Sequence, residues 1–200
     1  EVKDLVYINK NKQPERFDII VINDYKTPGT TKTEMKLIKR AIGLGGDWLT
    51  IKKAADGYFH VFTLNWQTQE IYCLNEDYVK DYEGWTYGPD SVYDSVITYN
   101  NQEYEKAFFE RFLSGGAYTV EEVDGVLFFQ VPDYEIFYLG DNRGRSSDSR
   151  ARGTAKIAKV EGVAEIILKG VGDDEGNLLG AKISALSAFY WNKLENYLRR

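Results

Sequence analysis

The chain has 200 residues, with 25 Lys and Arg against 31 Asp and Glu, a formal net charge of −6, and 43% hydrophobic and 28% charged residues. Such a chain folds around a real core, and its negative balance excludes nucleic acid as the main partner, because phosphate recognition needs clustered Lys and Arg. The single Cys73 rules out an internal disulfide and a thiolate metal site, no metal or other cofactor is expected, and no stretch approaches the roughly 18 apolar residues of a membrane span.

In chain order, the opening "EVKDLVYINK" already reads as a strand in mid-course, as if the chain began inside a fold. "FDIIVIND" is a second strand, after the turn-like "NKNKQPER". "KTPGTTKTE" has loop composition, and "MKLIKRAIGLGGDWLTIKK" reads as strand, glycine turn and strand. Residues 56–125 then change character. They hold more than half of the aromatic residues and fourteen Asp and Glu against three Lys and Arg, which suggests an inserted cap domain with its own small core. His60 stands alone of its kind in "GYFHVF", an ordinary strand pattern, so a catalytic role for it is not expected.

Within the insert, "NNQEYEKAFFERFLSGG" predicts a helix, with Asn as cap, Tyr104, Phe108 and Phe112 along one face, and Gly115 and Gly116 as its end. "VDGVLFFQVP", "YEIFYLG" and "VEGVAEIILKG" return to strand patterns. The tail is amphipathic at helical spacing through Ile183, Leu186, Tyr190, Leu194 and Tyr197. It can pack on its own domain or lie in a membrane interface through Phe189, Tyr190 and Trp191. The predicted class is mostly β: a discontinuous antiparallel core over residues 1–55 and 126–170, an inserted α+β cap over 56–125, and a helical tail over 171–200.

Two segments carry chemistry. If residues 35–42 form a strand, Met35, Leu37, Lys39 and Ala41 share a face, and Lys39 is its only charged group. Burial disfavours an ammonium, so a lysine held there has a depressed pKa and can act as a general base for a serine without any histidine. The alternative is that Lys39 reaches solvent and does nothing. The second segment, "LGDNRGRSSDSRARG", offers Ser146 and Ser147 as partners for the amine, and Asp148 as a partner for Arg40 or Arg150. A turn with a solvated ion-pair surface explains the same composition.

Together, "KRAIGLGGD" and the later "GDNRGRSSDSR" resemble the type I signal peptidase family, membrane-bound Ser-Lys peptidases whose boxes are close to K-R-x-I-G-L-P-G-D and G-D-N-x-x-x-S-x-D-S-R. "RFDIIVI" resembles the family strand R-G-D-I-V-V-F, so the resemblance covers roughly residues 1–53 and 126–168. It implies a signal-peptidase/LexA-like β core, and a peptidase that removes signal peptides from secreted preproteins after A-x-A. Lys39 matches the general base and Ser146 the serine that orients it. Asp148, Arg150 and Arg40 match the supporting ion pairs, and Gly140, Asp141 and Asn142 the structural start of the late box. Leu37 and Ile38 match residues lining the pocket for the small side chain. Asp18, Ile19, Ile20, Val21 and Ile22 match a strand edge on which an extended signal peptide pairs.

Two departures stand out. The family's S-x-S-M-x-P-T segment, which carries the nucleophile, is absent from the 200 residues, and Gly45 replaces the usual proline. The expectation is therefore that the serine and an N-terminal membrane anchor lie outside this chain, that the chain alone is inactive, and that the turn at Gly45 is looser. The resemblance also implies a catalytic domain on the extracytoplasmic side of the cell membrane, with the acidic insert pointing away from the bilayer. Two other readings are an inactive signal-peptidase-like assembly factor and a LexA-type self-cleaving Ser-Lys protein.

Overall fold

The computed structural model describes residues 5–25, 34–80 and 95–168. The proposed helical tail, most of the loop "KTPGTTKTE" and residues 81–94 of the acidic segment lie outside them. The chain divides into two compact units, residues 10–163 and a smaller one of residues 1–9 with 164–200. In the smaller unit the described elements are β1 (Leu5–Asn9) and the end of β13 (Val160–Leu168), where Asn9 Nδ2 donates to Glu165 Oε1 at 3.2 Å.

The larger unit is built on antiparallel strands. Its first sheet contains β2 (Ile19–Tyr25), β3 (Glu34–Leu44), β11 (Glu135–Leu139) and β12 (Ala155–Lys156), in the order β13-β2-β3-β11-β12. Its second sheet contains β4 (Trp48–Lys53), β5 (Phe59–Asn65), β6 (Glu70–Cys73), β9 (Val120–Val123) and β10 (Val126–Gln130), in the order β6-β5-β4-β10-β9. The hairpin of β7 (Val96–Tyr99) and β8 (Gln102–Glu105) joins this sheet through Lys52 opposite Tyr104. Short helical pieces are α1 (Asp77–Lys80), α2 (Lys106–Phe108), a wider π-type turn at Phe109–Leu113, and α3 (Ser149–Arg152).

The apolar runs that show no alternation in sequence belong to strands buried on both faces. In β11, Phe137 and Leu139 enter the main core with Ile42, Leu49, Ile51, Phe129 and Val131, while Ile136 and Tyr138 point into a second core with Ile20, Ile22, Ala41 and Val163. In β10, Phe129 joins the main core and Phe128 a third cluster with Trp48 and Leu64.

The segment predicted as a separately cored insert shares this main core instead. Phe59, Val61, Tyr104, Phe108 and Phe112 pack in the same cluster as Ile42, Leu49, Phe129 and Phe137. Phe112 packs tilted on Phe129 and edge-on to Phe137, at ring-centroid distances of 4.5 and 5.3 Å. The physical reason is pairing: β5 continues from β4 across a hairpin, so its apolar face falls on the cavity that β4 already lines.

The predicted helix also begins later than its Asn residues. Asn100 and Asn101 occupy the β7–β8 turn, with φ of 47° and 59°, a conformation asparagine tolerates well. Glu105 is the actual cap, accepting from the Ala107 and Phe108 N–H groups at 3.0 and 2.7 Å, and the helical stretch ends at Leu113, before Gly115. The turn at Gly45 is held by other means than a proline. Asp47 Oδ2 accepts from the Leu44 N–H at 2.8 Å, and Gly46, at φ 91°, donates to the Val131 carbonyl at 2.9 Å.

Because the aromatic core is common to both parts of the larger unit, Phe112→Ala should cost about 3–5 kcal/mol. Chemical denaturation followed at two wavelengths should show that loss in one cooperative transition. Two separate transitions would instead mean an independently cored segment.

Candidate active site

Strand β3 delivers Lys39. It lies opposite Ile20 in the β2 pairing, with Leu37 opposite Ile22, so the lysine shares its face with the apolar side chains of the second core. The side chain is half-buried rather than sealed. Burial is the largest cause pushing its pKa below the ordinary lysine value; Asp148 opposes that, Arg152 and Arg150 reinforce it, and Asp141 opposes it.

The late polar loop leaves the end of β11 and folds back onto this amine. Gly140 lies beside it. A Cβ there would overlap the Ser146 Cβ and Oγ, and would stand 3.6 Å from Lys39 Nζ. The serine hydroxyl and the lysine amine thus both border a residue that has room for no side chain. Ser146 is buried, and its N–H donates to the Asn142 carbonyl at 3.0 Å, which fixes its place in the turn.

Charge pairs hold the loop. Asp148 and Arg150 are fully buried and joined twice, Nε to Oδ1 at 2.8 Å and Nη2 to Oδ2 at 2.7 Å. Asp148 also caps α3 through the Arg150 N–H and accepts from the Gly140 N–H at 3.1 Å. Arg40 does not join that pair. It binds Asp141 in a two-bond fork at 2.8 and 2.6 Å and donates to the Phe17 carbonyl at 2.9 Å. The alternation of β3 explains this, since Arg40 emerges on the face opposite Lys39. Asp141 is therefore an ion-pair partner as well as part of the turn, while the Asn142 side-chain carbonyl is buried without a hydrogen-bond partner. Ser147, the alternative partner for the amine, is exposed and accepts from Arg152 Nε at 2.9 Å. His60 lies elsewhere, paired with Asp56 at 2.8 Å.

Residues 1–169 match the family described as "Signal peptidase, peptidase S26". The chain belongs to the signal peptidase family. A signal peptidase I of Streptococcus pneumoniae is 30% identical over 168 residues, covering 82% of this chain and 73% of that protein. One from Rickettsia bellii is 28% identical over 152 residues, covering 70% of this chain and 42% of the relative. A crystal structure of a signal peptidase I from Enterococcus faecalis V583 shares 28% identity, covers 77% of this chain and 98% of that one, and has a TM-score of 0.42.

For a signal peptidase the substrate side differs from the sequence expectation. Asp18, Ile19, Ile20, Val21 and Ile22 do not form a free edge: Ile20, Val21 and Ile22 pair with β3 on one side and β13 on the other. Ile20, Val21 and Ile22 are buried, Ile19 pairs with Arg40, and Asp18 is engaged by Lys12 Nζ and the Glu15 N–H, each at 2.9 Å. The consecutive apolar run "IIVI" is compatible with an interior strand. Among the described residues, β3 before Arg40 presents an open edge, because β11 pairs only with the stretch from Arg40 to Leu44. Leu37 and Ile38 separate by face. Leu37 lines a cleft of about 210 Å³ with Ile22, Asn23, Tyr138 and Arg152, whereas Ile38 is 53% exposed on the other side.

Sequence reasoning missed Arg143, Glu76 and Tyr78. Arg143 and Glu76 are buried and joined through both guanidinium Nη atoms, one at 2.9 Å, and Tyr78 lies under Arg40 at 4.0 Å. Arg143 sat in plain view in "GDNRG", yet nothing local named a glutamate 67 positions earlier as its partner.

Asp148→Asn removes one charge of a buried pair and leaves Arg150 uncompensated. Urea unfolding should show a loss of about 3–5 kcal/mol. A loss below about 1 kcal/mol would place the pair among surface-like ion pairs.

Proposed function

We propose that this chain is the catalytic part of a membrane-anchored signal peptidase that cleaves signal peptides from secreted preproteins after small residues, with Lys39 as general base for a serine nucleophile. The observation that carries the reading is the amine of Lys39, on an apolar face, lowered in pKa by burial, and placed with Ser146 around Gly140. No S-x-S-M-x-P-T segment occurs in the 200 residues, and the proposal assigns the nucleophile to a segment preceding Glu1, together with the membrane anchor. On this reading the 200 residues by themselves do not hydrolyse peptides.

Neutral Lys39 accepts the hydroxyl proton as the serine oxygen attacks the scissile carbonyl. The resulting ammonium gives that proton to the leaving amine as the peptide bond breaks. The mature protein departs, an acyl-enzyme remains, and a water deprotonated by Lys39 then releases the signal peptide. Ser146 holds the amine in line through these transfers, and Asp148, Arg150, Arg40 and Asp141 keep the loop that carries Ser146 in place. The unpaired edge of β3 before Arg40 supports docking of an extended substrate by strand addition, beside Lys39. Shallow pockets next to that strand would enforce A-x-A by excluding larger side chains. The catalytic domain would then face the extracytoplasmic side.

The protein carrying its native N-terminal segment should cleave a preprotein after A-x-A but not after L-x-L. Lys39→Ala should reduce cleavage on the order of 10³-fold or more, and Lys39→Arg should not rescue it, because a guanidinium stays protonated. Retained cleavage in either variant overturns the Ser-Lys reading. A base works only when deprotonated, so a lowered Lys39 pKa makes activity rise with pH through a midpoint below the ordinary lysine value of 10.5. A pH–rate profile with its acidic limb at the ordinary lysine position would contradict a buried base.

A further inference from the structure

Gly140 is bound at both of its backbone polar groups by buried side chains. Its N–H donates to Asp148 Oδ2 at 3.1 Å, and its carbonyl accepts from Arg143 Nε at 3.0 Å. The Asp148 end is completed inside the late box by Arg150. The Arg143 end is completed from outside it, by residues just before and within α1. Glu76 accepts from both Arg143 Nη atoms, and Tyr78 donates its hydroxyl to Glu76 Oε1 at 2.7 Å while accepting from Arg143 Nη2 at 3.2 Å.

The same tyrosine spreads its ring against Arg40 at 4.0 Å and lies edge-on to Phe17 at 6.0 Å. Arg40 in turn forks onto Asp141, the residue after Gly140. Glu76 and Arg143 are 5% and 2% exposed, so neither charge is tolerable without the other. Burial and Glu76 also push the Tyr78 hydroxyl up, which keeps it a neutral donor.

We propose that Glu76 and Tyr78 are positioning residues of the active site: a buried clamp from the acidic, aromatic-rich segment that grips Arg143 and Arg40, and through them holds the Gly140 peptide that Ser146 and Lys39 both border. The clamp touches neither the substrate edge of β3 nor the amine itself. It acts on the carbonyl side of Gly140, and displacement of that peptide moves the Ser146 side chain packed on it and opens the space around Lys39. The charged groups that act most strongly on Lys39 are Asp148, Arg152, Arg150 and Asp141, so the clamp works chiefly through geometry rather than through its own field. The catalytic consequence rests on the proposed Ser-Lys reading; the effect on the Lys39 environment does not.

The test uses Glu76→Gln, which keeps shape and removes charge, in the protein with its native N-terminal segment. Two readouts are taken on the same samples: cleavage kinetics against pH, and the pH dependence of Lys39 acylation by acetic anhydride, which loses acetate to the neutral amine, followed by mass spectrometry. The clamp predicts that kcat falls on the order of 10- to 100-fold with KM nearly unchanged, because positioning and not substrate binding is lost. It also predicts that Lys39 acylation moves to higher pH, as water reaches an amine whose depression comes mainly from burial. Tyr78→Phe, which keeps the ring on Arg40 and removes the hydroxyl, should give a smaller change in the same direction and serves if Glu76→Gln does not fold. Asp56→Asn, an exposed carboxylate bonded to His60, should change neither readout. Acylation profiles of Glu76→Gln and Tyr78→Phe that superimpose on the parent overturn the clamp. A shifted acylation profile with unchanged cleavage would uphold the clamp and instead remove Lys39 from the mechanism.

Discussion

The site depends on one peptide unit held by charge at both ends. Gly140 follows the buried stretch Ile136–Leu139, has no side chain of its own, and gives its N–H to Asp148 while its carbonyl accepts from Arg143. Backbone groups leaving a strand end normally find water or another strand. Here two ionised side chains supply the bonds, and such bonds are stronger and more directional than neutral ones. Burying those charges is expensive, and apolar replacements often cost nothing in stability. Their place here is better understood as fixing a position: a glycine that must sit under a serine and beside a lysine amine cannot be located by packing alone, since it offers no surface to pack.

The sheets make this possible from below. β11 alternates between two cores, Phe137 and Leu139 into one and Ile136 and Tyr138 into the other, so it is immobilised on both faces before it releases the loop. The same strand is bonded to β3, with an irregularity in register between Phe137 and Tyr138, and Leu139 ends opposite Arg40. Lys39 is therefore the residue next to the last β3 position that β11 covers. Its amine emerges where the sheet has just lost a neighbour, half-covered by the returning loop. That edge effect is what leaves the amine reachable while still desolvated.

Much of this was legible in the chain itself. Alternation puts Lys39 with Leu37 and Ala41, and the structure keeps them on one face; the late box offers a serine at 146, and it borders Gly140 as the lysine amine does. The pairing of charges was not legible in full. Asp148 could be matched with either of two arginines by composition, and only the opposite facing of Lys39 and Arg40 in β3 assigns Arg40 to Asp141. Strand order was also hidden, because "IIVI" fits an edge or an interior strand until its partners are known, and β13 lies far away in sequence. The helix start failed for a local reason: Asn100 and Asn101 suit a helix cap and a left-handed hairpin turn equally, and the pairing of β7 with β8 selects the turn.

The shift to an acidic segment at residue 56 suggests a boundary, and in part it is the reverse of one. A segment rich in carboxylates and aromatics folded onto a loop rich in arginines has two ways to meet it. It can leave the charges in water, where each pair contributes little, or it can bury a few of them in defined geometry. The structure takes the second course at Glu76 and Arg143, and adds an aromatic ring against Arg40. Elsewhere Arg111, from the π-type turn of the same segment, reaches the Arg150 and Ala151 carbonyls at 3.1 and 2.7 Å, covering the C-terminal end of α3. Both contacts run from the acidic, aromatic segment to the late polar loop, one at each end of it. A compositional contrast between two stretches of chain is thus as consistent with mutual recognition as with separation, and buried complementary charge is the feature that tells the two apart.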